Sequence, residues 1–173
     1  MLSSTQIGAI GEAVVASGLM IASEGRLSPF APAADDDGID LLVYDKRTGR
    51  ALPLQVKSRT VTIQRRGRRT NVMHFEVRSG KLKADSYAWF LGVLLTQDLT
   101  GVAAAWAIPM RDVPSLARAT PTKFVMRPSR SAQSQDRYSR YRCTDLHEVA
   151  RRMMEHFDSV SPRNQSGQNQ GKS

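Results

Sequence analysis

Cysteine is almost absent from this 173-residue sequence; Cys143 stands alone. A single thiol cannot close an internal disulfide, and no Cys/His cluster has the spacing of a zinc site. Histidine is as scarce: His74, His147 and His156 are scattered, and the last two read as ordinary helix residues. Acid is in deficit, with 16 Asp and Glu against 25 Lys and Arg, a formal charge of +9 and a pI near 10.3. That balance favours a polyanionic partner, nucleic acid or an anionic surface; a soluble chain merely rich in Arg is the plainer alternative. The opening residues, MLSSTQIGAIGEAVV, carry no Lys or Arg ahead of the apolar positions, as a secretory leader would. No apolar run reads as long enough to span a bilayer. The expectation is a cytoplasmic protein with no membrane partner.

What is present is globular. Hydrophobic residues make up 40% of the chain, with two Trp, five Phe and four Tyr through its middle. The length suits one domain with a real core. We expect that domain over residues 1–160, followed by a tail over 161–173 that holds no apolar residue after Ser161 and reads as disordered.

A first helix is expected from Thr5 to Ser23, with Ile7, Ile10, Val14 and Ile21 on one stripe and Ser3, Ser4 or Thr5 as cap. Gly8 and Gly11 would let it approach a sheet closely, and Glu12 lies on the border of its buried face. GRLSPFAPAADDDG reads as a loop. IDLLVYD is a strand, KRTGR its turn and ALPLQVKSRTVTIQ a second strand. TNVMHFEVRS reads as a third strand, closing a hairpin from Thr60 to Ser79 whose tip holds Arg65, Arg66, Arg68 and Arg69 around Gly67. YAWFLGVLLT is almost wholly apolar, as expected for a strand buried on both faces. VAAAWAIP and TKFVMR are further strands, and MRDVPSLARA is a short helix broken by Pro114. PSRSAQSQDRYSRYR reads as a polar loop whose Tyr138 and Tyr141 stack on bases or simply decorate the surface. TDLHEVARRMMEHF is a final helix capped by Thr144, with Leu146, Val149, Met153 and Phe157 inward. The sum is an α/β (α+β) single domain: a central mixed β-sheet flanked by helices.

Asp40, Gln55 and Lys57 are polar residues inside an apolar hairpin. Positions i and i+2 of a strand share a face, so Gln55 and Lys57 project together while Val56 points the other way. An acid, an amide oxygen and an ammonium in one patch can hold a divalent cation and a water. The alternative is a solvated sheet face with Asp40 as a turn cap. Asp36 and Asp37 lie just upstream and read as loop residues.

With Glu12 in AIGEAVV, Asp40 in DDDGIDLLV and Gln55–Lys57 in LQVKS, the arrangement resembles the PD-(D/E)XK nuclease superfamily, which has the restriction-endonuclease-like fold. Gln where that motif has an acid is similar to the variant in Mrr-like nuclease domains. The resemblance covers about residues 5–63 in detail. It implies a Mg²⁺-dependent deoxyribonuclease, with Mn²⁺ as an alternative ion, acting in repair, restriction or defence. Glu12, Asp40, Gln55 and Lys57 would be catalytic. Asp40, Gln55, the Val56 carbonyl and Glu12 would hold the metal. Gln55 removes one negative charge from that site, so a non-catalytic nucleic-acid-binding protein of the same fold stays open. An RNA-cleaving toxin or an interaction protein is a third possibility. Arg59 and the Arg65, Arg66, Arg68 and Arg69 tip would bind nucleic acid, DNA ahead of RNA. Cutting two strands is simplest with two sites on a two-fold axis, so a homodimer is expected.

Overall fold

The computed structural model describes residues 2–33, 38–60, 64–65, 68–69, 71–81 and 87–160. The chain opens with α1 (Ser4–Ala22), whose first turn is closed by a capping box between Ser3 and Gln6. Strands β1 (Leu27–Phe30), β2 (Leu41–Asp45) and β3 (Arg50–Arg59) follow. Next come the two-residue strands β4 (Gln64–Arg65) and β5 (Arg68–Arg69), which pair with each other. Then β6 (Phe75–Arg78), β7 (Trp89–Leu95) and β8 (Val102–Pro109) lead into the short helix α2 (Val113–Leu116). Strands β9 (Arg118–Ala119), β10 (Lys123–Met126) and β11 (Arg142–Cys143) precede α3 (Leu146–Ser159).

The main sheet has the order β1-β2-β3-β7-β8-β11. Its one parallel pair is β3 with β7, in register from Leu54↔Trp89 to Arg59↔Leu94. The other pairs are antiparallel, which makes the sheet mixed, as expected. A second, three-stranded sheet, β6-β10-β9, lies apart from it.

Two cores form on the two faces of the main sheet. One joins α1 and α3 to Leu52, Leu54, Val56, Leu91 and Val93. The other joins the small sheet to Phe90, Leu94, Trp106 and Ile108. Every residue of β7 is buried, because it serves both cores by turns. Gly92 is one of those positions: a Cβ there would lie 2.8 Å from the Phe75 ring, so glycine lets β6 pack against β7. Gly11 does the same for α1, since its Cβ would meet that of Ser58 at 2.4 Å. Ser58 Oγ donates to the Ile7 carbonyl at 2.9 Å and ties the helix to β3. Gly8, expected to share this role, faces open space.

Several expectations are corrected. Ile21 is 73% exposed; the inward stripe of α1 runs instead through Gly11, Val15 and Leu19. By length and composition α1 is long and apolar enough to cross a membrane, contrary to the sequence reading, but here one of its faces packs on β1, β3 and α3. The segment read as a loop contains β1, an edge strand in which Pro29 costs no interior ladder bond. Pro114 does not break α2 but stands in its first turn, where a missing N–H is harmless. Asp145, not Thr144, caps α3 by accepting from Glu148 N at 2.9 Å. The third strand pairs with β10 rather than with β3, so the long hairpin reduces to the β4–β5 ladder. Val61, Ile63 and the expected tail lie outside the described residues, as do Asp36, Asp37, Arg66 and Gly67.

Candidate active site

The hairpin β2–β3 brings Asp40 beside the middle of β3. The Asp40 N–H donates to the Leu54 carbonyl at 2.9 Å, which anchors the residue just ahead of β2. Its carboxylate Oδ2 accepts from Val56 N–H at 2.7 Å and lies 3.5 Å from Lys57 Nζ. Lys57 keeps 34% of its side chain exposed and Asp40 13%, so this ion pair faces solvent on one side.

Gln55 is buried at 6% exposure. Its Nε2 donates to the Gly38 carbonyl at 2.9 Å. That bond sets the amide's orientation, because only the NH₂ end can donate to a carbonyl. The Oε1 atom therefore points elsewhere, and among the described residues it has no hydrogen-bond partner. A buried acceptor without a donor costs roughly 1–3 kcal/mol. Natural folds keep such groups where something else completes them.

Gly38, Asp40, Gln55 and Lys57 line one wall of an open cleft of about 640 Å³. The opposite wall is Glu76 and Arg78 of β6 with Thr122 and Lys123 at the start of β10. The sequence reading missed this wall. Glu76 accepts from Lys123 Nζ at 2.7 Å and contacts His74 Nε2 at 2.8 Å. The Lys123 hydrogen bond, then the His74 one, pull its carboxyl down to about 2.

Three expected site residues thus meet: Asp40, Gln55 and Lys57. Glu12 is not among the residues lining the cleft; α1 packs on the other face of β3, through Val15, Leu19 and Val56. Arg59 is partly buried. It donates to the His74 and Ser58 carbonyls at 2.9 Å and lies 6.0 Å from the centre of the Phe75 ring. Burial lowers its pKa, and its bonds brace β3 against the strand leading into β6. Arg65, Arg68 and Arg69 fall on the β4–β5 ladder. Tyr138 and Tyr141 are buried at 6% and 7%, with hydroxyls bonded to the Leu116 carbonyl and Asp112. They are core residues, which corrects the reading of them as a stacking platform.

The donor set suits a hard divalent ion. A carboxylate and a neutral amide oxygen are the ligands Mg²⁺ and Mn²⁺ accept, and Gln55 Oε1 is an acceptor in want of a partner. Among the described residues no three of His, Cys, Asp and Glu gather into a denser metal site.

No family model matches the chain, and no curated protein matches it significantly. Among solved structures it is similar to a bacterial homing endonuclease, with 18% identity, 92% of this chain and 96% of that one covered, and a TM-score of 0.54. A Holliday junction resolvase from Archaeoglobus fulgidus aligns at 13% identity over 78% of this chain and 98% of that one, with a TM-score of 0.42. At this identity the first likeness establishes a shared fold. The chain shares its overall fold with that endonuclease, in keeping with the expected single domain built on a mixed sheet.

Proposed function

We propose that the chain is a Mg²⁺- or Mn²⁺-dependent deoxyribonuclease with a Gln-x-Lys site like that of Mrr-like domains. The observation that carries this reading is the meeting of Asp40, Gln55 and Lys57 in one cleft, with Gln55 Oε1 buried and without a donor among the described residues. Asp40, Gln55 and the Val56 carbonyl would hold the ion. When bound, such an ion supplies Lewis acidity toward a phosphoryl oxygen and an acidified water. Lys57 Nζ, steered by Asp40, places a positive charge where a phosphodiester gains negative charge in the transition state. The Val56 N–H holds the Asp40 carboxylate in one orientation. Glu76 and Lys123 close the far side of the cleft.

Purified protein with Mg²⁺ or Mn²⁺ is expected to cut DNA, and Lys57→Ala to abolish cutting while DNA binding persists. Absence of cleavage on duplex, single-stranded and branched DNA, with Lys57→Ala indistinguishable from wild type, overturns the proposal. One observation favours binding without cleavage instead: the site has a single carboxylate on the β2–β3 wall, and no acidic trio forms among the described residues. A homodimer belongs to the same proposal, and light scattering of the free protein tests it.

A further inference from the structure

The small sheet β6-β10-β9 turns Phe75, Val77 and Met126 into the second core. Strand alternation therefore puts the intervening residues on its outer face. Register confirms the set: Arg78 pairs with Lys123, and Val125 pairs with Glu76 on one side and Arg118 on the other. Arg127 follows Lys123 and Val125 on the same face. The near end of this face is the far wall of the cleft. Its far end is a second hollow of about 290 Å³, lined by Leu116, Arg118, Val125, Arg127 and the loop from Asp136 to Tyr138. The two hollows are joined through Lys123 and Val125, which lie two residues apart on β10.

The charges on this face are not balanced internally. Glu76 is taken up by Lys123 and His74. Asp136 is taken up by the Ser129 and Tyr138 N–H groups, at 2.7 and 3.0 Å. Arg137 spends one donor on the Leu116 carbonyl. Arg78, Arg118 and Arg127 are exposed, and among the described residues their guanidinium groups make no ion pair or hydrogen bond. Several arginines elsewhere are committed: Arg26 to Asp45 and Asp158, Arg152 to Glu148, Arg151 to Glu155. Uncommitted guanidinium groups in a row beside a cleft fit phosphate, to which Arg presents paired donors.

We propose that the outer face of the small sheet is a track for the DNA phosphate backbone, running from the cleft to the Arg118–Arg127 hollow. This deepens the nuclease reading and rests on it. From Lys123 to Arg127 the strand advances about 13 Å, close to the rise of about four base pairs of duplex. The track would hold the duplex beyond the scissile phosphate, and it reads no sequence, since phosphate contacts position without specifying.

The test uses the full chain and a short DNA duplex in metal-free buffer, with affinity measured at several salt concentrations. Arg118→Gln/Arg127→Gln removes both charges and keeps much of both stems. It is expected to weaken binding by roughly tenfold at low salt and to reduce the slope of log K against log salt by about 2. Arg118→Lys/Arg127→Lys should keep the wild-type slope, because an ammonium also neutralises phosphate. An unchanged slope in the Gln pair overturns the track, whatever the protein cuts. If the Gln pair melts early, Arg127→Gln alone is compared, with a slope reduced by about 1 expected and an unchanged slope overturning the track. A wild type that binds with a steep salt slope but cuts nothing leaves the track standing and sinks the nuclease reading. A wild type that binds no duplex overturns both.

Discussion

Asp45 ends β2 and Asp40 stands just before it, and the two aspartates live in opposite conditions. Asp45 is fully buried and saturated. It takes Arg26 through two bonds of 2.7 and 2.9 Å, Thr48 at 2.7 Å and the Arg47 N–H at 3.2 Å. The Arg26 hydrogen bonds, above all, hold its carboxyl far below the usual range. Arg26 reaches on to Asp158 and so fastens β2 to α3. Asp40 pairs with Lys57 at 3.5 Å, is partly exposed, and lies beside an amide oxygen with no donor among the described residues. One end of the strand is locked into the core by a buried ion pair, and the other faces a cleft and solvent. A structural acid is recognised by burial against its own cation, and a candidate catalytic one by its place in an open cleft beside other polar groups.

Removing each charge in turn separates the two aspartates. Asp40→Asn is expected to lower DNA cleavage by at least about 100-fold, with the thermal melt nearly unmoved. Asp45→Asn should do the reverse: it strands Arg26 and costs about 3 kcal/mol of stability by denaturant unfolding, with cleavage per folded molecule retained. Equal effects of the two variants on both readouts would erase the distinction. Acid titration sharpens it. Because folding depresses the Asp45 pKa below its ordinary 3.8, its stabilisation is complete above that value and is lost as pH falls through the folded value. Glu76 adds a weaker limb between its ordinary 4.5 and about 2. Unfolding followed by circular dichroism against pH should show Asp45→Asn flattening the acid limb and Asp40→Asn leaving most of it.

Gln55→Glu tests the unsatisfied end from the other side. A second carboxylate should lower the Mn²⁺ concentration needed for half-maximal cleavage by roughly tenfold. It should also cost about 1–2 kcal/mol, because the Gly38 carbonyl loses its donor. An unchanged metal requirement would remove Gln55 from the site. The smallest effect is expected from Tyr141→Phe, about 1 kcal/mol through the lost bond to Asp112. DNA affinity should not change, since the ring is core; a loss of affinity would return Tyr141 to the binding surface.

The central strands were legible because their patterns are local. The unbroken run WFLGVLL of β7 admits no exposed face, and LLVYD reads as the strand β2, though only the structure turns Asp45 inward. Asp40, Gln55 and Lys57 could be placed together because a short hairpin joins their strands. β1 was missed because Ser28 and Pro29 read as loop and only Leu27 of its four residues is fully buried, which is enough for an edge strand. Tyr138 and Tyr141 were misread because composition shows a polar loop but not which side chains fold under it. Glu76 and Lys123, 47 residues apart, meet only through the β6–β10 register, which no local period encodes.

By itself, the sequence determined the periodicities, the strongly basic balance, and three polar residues set in an apolar hairpin. The tertiary structure decided their environment. It buried Gln55 with one end of its amide satisfied and the other without a donor among the described residues, placed α1 on the far side of β3, and raised a second wall from the small sheet. The reason is physical. Secondary structure follows from side-chain spacing along the chain, whereas satisfaction, burial and charge pairing depend on which distant strands come to lie together.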